Sequence, residues 1–226
     1  MFYGTPPIVT NGLVLNLDCG NRLSYPTSGT TWTDLSGFEN NGTLTNGPTY
    51  NPNNLGSIVF DGVDDYAIVL SSSTLNNWSA LTIGVWFTFS TMDSYYLRLI
   101  EKGANNEWTV GINYATYDYK LFLQDLGGAG LAIKSTNALN DNRYHYVVIT
   151  INSNHYCSMY IDGILNSQSQ GSTPSSKTGS INIGRYGAGG YCWKGTIANT
   201  QIYSRALSAT EILQNYNAYK TRFGLT

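Results

Sequence analysis

The stretch LTIGVWFTF, residues 81–89, puts Leu81, Ile83, Val85, Phe87 and Phe89 at every second position, with Thr82, Gly84, Trp86 and Thr88 between them. Side chains of a β-strand alternate between two faces, so this spacing lines one face with apolar groups and predicts a strand laid on a core. Noisier forms of the pattern recur in GLVLNLD, SIVFDG, YAIVL, YLRLIEKG, EWTVGINY, KLFLQDL, YHYVVITIN, YCSMYID, SINIGR and GTIANTQIY. Turn-forming clusters part them at intervals of about ten residues, the rhythm of an all-β sandwich. In MYIDGILN, Asp162-Gly163 stands between two apolar pairs and predicts a two-residue hairpin turn, because Asp-Gly tolerates the positive φ such a turn demands.

One helix is expected, in RALSATEILQNYNAYK near the C-terminus. Ser208 and Glu211 have the spacing of a capping box, and Leu207 and Ile212 stand where a hydrophobic staple would place them. Ile212, Leu213 and Tyr216 then share the face predicted to pack.

With 226 residues the chain suffices for one large β domain, expected over residues 11–226 with 1–10 as an N-terminal extension. The Asn- and Ser-rich stretches are short, and strand patterns resume directly after them, so they are surface loops rather than linkers. A domain of this size buries roughly 70% of its unfolded surface and needs no disulfide staples. Cys19, Cys157 and Cys192 show neither paired-cysteine nor zinc-ligand spacing, which fits a reducing compartment. Charged residues are only 12% of the chain and the net charge is -2, with no basic run, which argues against nucleic acid as a partner. The N-terminal residues lack the charged and apolar regions of a signal peptide, and no apolar run is long enough for a membrane span.

The stretch IVFDGVDDYAIVL, residues 58–70, sets Asp61, Asp64 and Asp65 between two apolar runs. Calcium takes carboxylate and carbonyl oxygens from irregular Asp-, Asn- and Gly-rich loops, so this segment is a candidate cage. DLSGFENNG is a second, offering Asp34, Asn40 and Asn41, with Asp34 and Asp64 the favoured ligands. The plain alternative is a solvated turn, for which Asp61-Gly62 is an ordinary pair.

The ordered set GLVLNLDCGNRLSYP, WTDLSGFENNGTLTNGPTY, SIVFDGVDDYAIVL, LTIGVWF, RYHYVVITI, MYIDGILN, INIGRY and GTIANTQIYSRALSATEI resembles the laminin G-like domains of the concanavalin A-like lectin/glucanase superfamily. That resemblance implies two antiparallel sheets in a jelly-roll sandwich, with a short C-terminal helix. It also makes a bound calcium reasonable, although the legume-lectin metal signature is absent. The segments DLSGFENNGTLTNGPTY and RALSATEILQNYNAYKTRFG look most like free-standing members encoded by tailed bacteriophages, which decorate capsids or form parts of tail fibres.

Glucanases of the superfamily use two glutamates on one strand, and retaining hydrolysis needs its carboxyl groups roughly 5 Å apart. Here Glu39, Glu101, Glu107 and Glu211 are scattered and form no such motif. His145 and His155 lie in strand patterns with no nucleophile elbow, and the Gly-rich RYGAGGY lacks the strand–loop–helix setting of a nucleotide loop.

Sugar recognition needs aromatic platforms with a few fixed polar groups. The 13% aromatic content, with 18 Tyr and 5 Trp, suits that task, although strands also favour aromatics for packing. Near expected loops and strand ends lie Trp108, Tyr114, Tyr117, Tyr119, Tyr186, Tyr191 and Trp193, with Arg185 and Asn105 beside them, whereas Trp32 and Trp86 read as structural. The reading is a non-enzymatic virion protein, made in the host cytoplasm, with capsid or tail proteins and surface glycans as partners. Assembly of several copies is compatible with it. The alternatives are a carbohydrate-binding module of a secreted bacterial protein and, less favoured, a glycoside hydrolase.

Overall fold

The computed structural model describes residues 6–89, 96–103, 107–113, 119–125, 130–171 and 178–226. In chain order the strands are β1 (Leu13–Asp18), β2 (Thr31–Trp32), β3 (Gly42–Thr45), β4 (Thr49–Asn51), β5 (Ser57–Asp61) and β6 (Tyr66–Val69). Then come β7 (Leu81–Thr88), β8 (Tyr96–Lys102), β9 (Trp108–Asn113), β10 (Lys120–Asp125) and β11 (Gly130–Ala138). They are followed by β12 (His145–Ile151), β13 (Tyr156–Ile161), β14 (Ile164–Gln170), β15 (Ile181–Ile183) and β16 (Lys194–Tyr203), and by helix α1 (Ala209–Tyr219). Two antiparallel eight-stranded sheets result. The first runs β14-β13-β12-β7-β16-β5-β4 with β1 also on β16, and the second runs β11-β10-β9-β8-β15-β6-β3-β2. This is the all-β sandwich that the alternation predicts, in the jelly-roll form that the family resemblance implies.

The register follows from the apolar face of β7. Ile83, Val85 and Phe87 stand opposite Ile149, Val147 and His145 of β12. The inward row of β7 joins Leu15, Leu17, Trp32, Phe60, Ile100, Val110 and Ile197 in one core between the sheets. The hairpin between β13 and β14 turns through Asp162 and Gly163, both at positive φ, with Ile161 paired to Ile164.

The other face of β7 is buried as well, because the C-terminal segment covers it. The Trp86 ring stacks on Tyr146 at 4.9 Å, Tyr216 at 5.6 Å and Phe223 at 4.5 Å. Helix α1 starts with the expected capping box: Ser208 Oγ accepts from Glu211 N–H, and Glu211 Oε2 accepts from Ser208 N–H. Arg205 grips the same carboxylate with two donors and holds Glu211 down at about 2.

The helix face differs from expectation at one position. Leu213 is exposed, while Asn215 is fully buried beside Ile212. Its carboxamide accepts from Val9 N–H and donates to Tyr203 Oη, and Tyr203 Oη donates to the Val9 carbonyl. Burying a carboxamide is tolerable only when its polar atoms find partners, and this closed circuit provides them. It also draws Ile8 and Val9 against the helix, next to Trp86.

Candidate functional site

The helix and the segment after it cover the central strands of the first sheet's outward face, and a polar cluster lies on the outward face of the second. Opposite β8, Arg98 pairs with Gly111 and Glu101 with Thr109 on β9, while Leu97 and Ile100 pair with the core residues Ile112 and Val110. Residues three apart in a regular strand face opposite ways. The register shifts between Arg98 and Ile100, and this bulge at Leu99 brings Arg98 and Glu101 onto the same, outward face. Phe122 of β10 follows Gly111 in the same row, and Asn182 of β15 lies beside Glu101. A Cβ at position 111 would lie 2.4 Å from the Leu97 carbonyl oxygen and against the Phe122 ring, so glycine is required there.

The segment 184–193, between β15 and β16, folds over this row. It is closed by Trp193 N–H on the Gly184 carbonyl and anchored to β8 by Arg98 N–H on Tyr191 O and Gly184 N–H on Leu99 O. Gly184 sits at φ 88°, and a Cβ there would lie 2.7 Å from the Phe60 ring, so the position is closed to a side chain.

Under the loop, the Arg98 guanidinium lies 5.4–5.9 Å from the ring centres of Tyr96, Phe122, Tyr186 and Tyr191. Arg98 is only 7% exposed, yet its Nε and Nη1 have no hydrogen-bond partner. Arg185 stacks on Tyr66 at 3.4 Å with its Nε likewise unpartnered. Glu101 is fully buried and accepts from Gly187 N–H at 2.6 Å. Burial pushes its carboxyl up to about 7, opposed by the Gly187 amide, Arg98, the Thr109 hydroxyl and Arg185. Burial also lowers Arg98, against the pull of Glu101 and the three tyrosines. The result is two arginines and one buried acid beneath a rim on which Tyr191 stands 42% exposed.

The expected residues divide. Arg185, Tyr186 and Tyr191 come together here, with Tyr186 and Tyr191 rings 5.9 Å apart. Trp108 and Trp193 do not belong to a surface platform. Trp108 continues the inward row of Val110 and Ile112, and Trp193 is fully buried edge-on to Phe87 and Phe89. Tyr119 packs half-buried against the core at the start of β10. Tyr114, Tyr117 and Asn105 lie outside the described residues. Trp32 and Trp86 are core residues as read. Arg98 and Glu101, which carry the polar chemistry, were not among the expected site residues.

The acidic segments divide too. Asp34 has both carboxylate oxygens engaged in its own loop: Oδ1 accepts from Asn16 and Ser36 N–H, and Oδ2 from Asn40 N–H and Ser36 Oγ. Asn40 is likewise occupied, donating to the Val14 carbonyl and Thr74 and accepting from Ser72. These two residues knit a loop. Asp61, Asp64 and Asp65, by contrast, each offer an oxygen within 4.8 Å of the others. Asp61 Oδ1 accepts from Val63 N–H and Asp65 Oδ2 from Asp61 N–H, which leaves carboxylate oxygens over for a hard cation.

A cleft of about 610 Å³ between the helix and the Asn54 loop is a structural seam rather than a site. The Arg222 guanidinium at its wall is already bonded to Asp18 and to the Asn54 and Gly56 carbonyls.

Comparison with solved structures finds the same sandwich in proteins of low sequence identity. The binding domain of Paraclostridial Mosquitocidal Protein 1 matches with TM-score 0.71 at 17% identity, over 96% of this chain and 56% of that one. The binding domain of botulinum neurotoxin DC, solved with rat synaptotagmin II, matches with TM-score 0.72 at 15%, over 93% and 52%. Trypanosoma rangeli sialidase matches with TM-score 0.72 at 17%, over 98% and 36%. The chain thus spans about a third to a half of these proteins, and the likeness is one of fold. No curated protein sequence matches it. The family profile described as the concanavalin A-like lectin/glucanases superfamily matches residues 61–213, from the acidic turn through both sheets into the helix. The chain belongs to the laminin G-like family of that superfamily.

Proposed function

We propose that this protein is a non-catalytic carbohydrate-binding module that displays the segment 184–193 to surface glycans. The observation that carries the reading is the tyrosine-rimmed polar cluster on the second sheet: an aromatic platform over unpartnered donors is the composition of a sugar site. Two of the similar structures are binding domains of toxins, which accords with an adhesive role.

The glutamates support the non-catalytic part. Glu107 is paired with Lys102 at 3.6 Å, Glu211 caps the helix, and Glu39 is exposed in a loop. The rows around Glu101 hold Arg98, Thr109, Phe122 and Asn182 but no second carboxylate among the described residues.

The finer setting we propose is the surface of a bacteriophage particle. It rests on the likeness of residues 34–50 and 205–224 to free-standing phage members of the family. Calcium in the turn 61–65, which links β5 of the first sheet to β6 of the second, belongs to the same proposal, with Asp61, Asp64 and Asp65 as its ligands.

A glycan array probed with the protein tests the binding role, and Tyr191→Ala should weaken every hit without lowering thermal stability. An array with no hits removes it. Mass spectrometry of purified particles tests the setting, which is lost if this chain is missing from them.

A further inference from the structure

We propose that the buried arginine cluster beneath Tyr186 and Tyr191 takes an acidic sugar residue, whose carboxylate or sulfate binds Arg98 and Arg185 in competition with Glu101 when the covering segment 184–193 lifts. The inference rests on the glycan-binding reading and names the ligand class.

Its basis is a charge and hydrogen-bond imbalance. Arg98 and Arg185 together present three buried nitrogens without acceptors: Nε and Nη1 of the first and Nε of the second. Leaving a buried donor unmatched costs about 1–3 kcal/mol, and more when the group is charged. The rings of Tyr96, Phe122, Tyr186 and Tyr191 offset part of this through their negative faces, but they accept no hydrogen bond in the guanidinium plane. An oxyanion does, and a planar guanidinium matches carboxylate and sulfate oxygens two at a time. A neutral sugar hydroxyl would satisfy one donor and add no charge opposite the two guanidinium groups.

Glu101 is the internal rival for that position. The charged or titratable groups facing it are Arg98 on its own strand and Arg185 on the covering segment, joined by the Thr109 hydroxyl on β9 and the Gly187 amide. With its carboxyl up at about 7, Glu101 gains a proton just below neutral pH. Losing that negative charge leaves the two arginines to the ligand and weakens the hold on Gly187 N–H, which pins the covering segment. Sugar carboxylates and sulfates stay ionised in that range, so acidic glycans should bind more tightly as the pH falls from about 8 to about 6.

The test is affinity for three tetrasaccharides: one of hyaluronan, carrying carboxylates, one of carrageenan, carrying sulfates, and neutral cellotetraose. An array of neutral and acidic glycans is run beside them. Acidic ligands should exceed neutral ones by about tenfold or more, and the two acidic probes separate carboxylate from sulfate. The margin should widen at about pH 6, and Glu101→Gln should make binding independent of pH. Arg185→Ala should lose about tenfold, and Arg98→Lys, which keeps the charge but not the fork, should lose about as much with its melting curve intact. Neutral glycans bound as well as acidic ones, or acidic binding untouched in both arginine variants, would overturn the inference and leave the glycan-binding reading in place. A folded protein that retains no glycan at either pH overturns both.

Discussion

Glu101 on β8 accepts a hydrogen bond from the Gly187 amide at 2.6 Å, so a fully buried carboxyl in the second sheet ties down the segment that covers it. This bond has a consequence for stability. Burial, against the Gly187 amide, Arg98, Thr109 and Arg185, pushes the Glu101 carboxyl from an ordinary 4.5 up to about 7. Between those values the folded chain holds a proton that the unfolded chain has released. Stability from this group is therefore complete below about pH 4.5 and is lost as the pH rises through about 7. The loss is roughly 3 kcal/mol at most. Thermal unfolding from about pH 5 to about pH 8.5 should show the decline, and Glu101→Gln should flatten it. Parallel pH curves for the two proteins would contradict the assignment.

His145 acts in the same direction from the first sheet. Burial lowers its pKa, but the Asp162 carboxylate at 2.8 Å and Asp141 at 3.0 Å outweigh burial, and the net shift is upward. A raised histidine stabilises the fold fully below its unfolded value near 6.5, and that contribution fades as the pH passes the folded value. Asp162 also accepts from Tyr146 N–H, so the imidazolium clamps the hairpin turn to the end of β12. His145→Gln should leave stability nearly unchanged at pH 8 and lower it at pH 6, measured by chemical denaturation. Equal destabilisation at both values would show that packing against Phe87, not charge, is what His145 provides.

The circuit of Val9, Asn215 and Tyr203 predicts an asymmetry between two substitutions. Asn215→Leu strands the Val9 amide and removes the donor to Tyr203 Oη, at a cost of about 1–3 kcal/mol. Leu213→Asn, on the exposed side of the same helix, should change stability by less than about 0.5 kcal/mol. Similar losses in denaturant titrations would mean that the helix does not pack by this face.

The periodic parts of the fold were legible in the sequence, and the site was legible only in its rim. The alternation in residues 81–89, the Asp-Gly turn and the Ser208–Glu211 box each carry a local signal, and each is found in place. Trp108 was misplaced to the surface although Val110 and Ile112 follow it at strand spacing, a pattern that already pointed inward. Arg98 and Glu101 were hidden for a different reason. Strict alternation puts residues three apart on opposite faces, and only the bulge at Leu99 unites them. A bulge depends on the partner strand's register, which no local pattern encodes. Asn215 was missed because its place in the core depends on Val9 and Tyr203, the former about two hundred positions away.

The acidic turn supplies the last prediction. The carboxylates of Asp61, Asp64 and Asp65 crowd within 4.8 Å, and two of them are held in place by amide N–H groups of their own turn. Burial raises Asp65, and the charges of Asp61 and Asp64 add to that rise. A calcium ion would relieve the repulsion, so calcium should raise the melting temperature and a chelator should reverse the effect. Occupancy at a hundredfold excess over the dissociation constant corresponds to about 2.7 kcal/mol. Asp64→Asn should weaken the response, because Asp64 is an exposed member of the carboxylate group. Asp34→Asn should lower stability with and without calcium alike, since an amide nitrogen cannot replace an oxygen that accepts two hydrogen bonds. A calcium response that survives Asp64→Asn but disappears with Asp34→Asn would move the ion to the other loop. No response at all in the unaltered protein would make the turn 61–65 a solvated one.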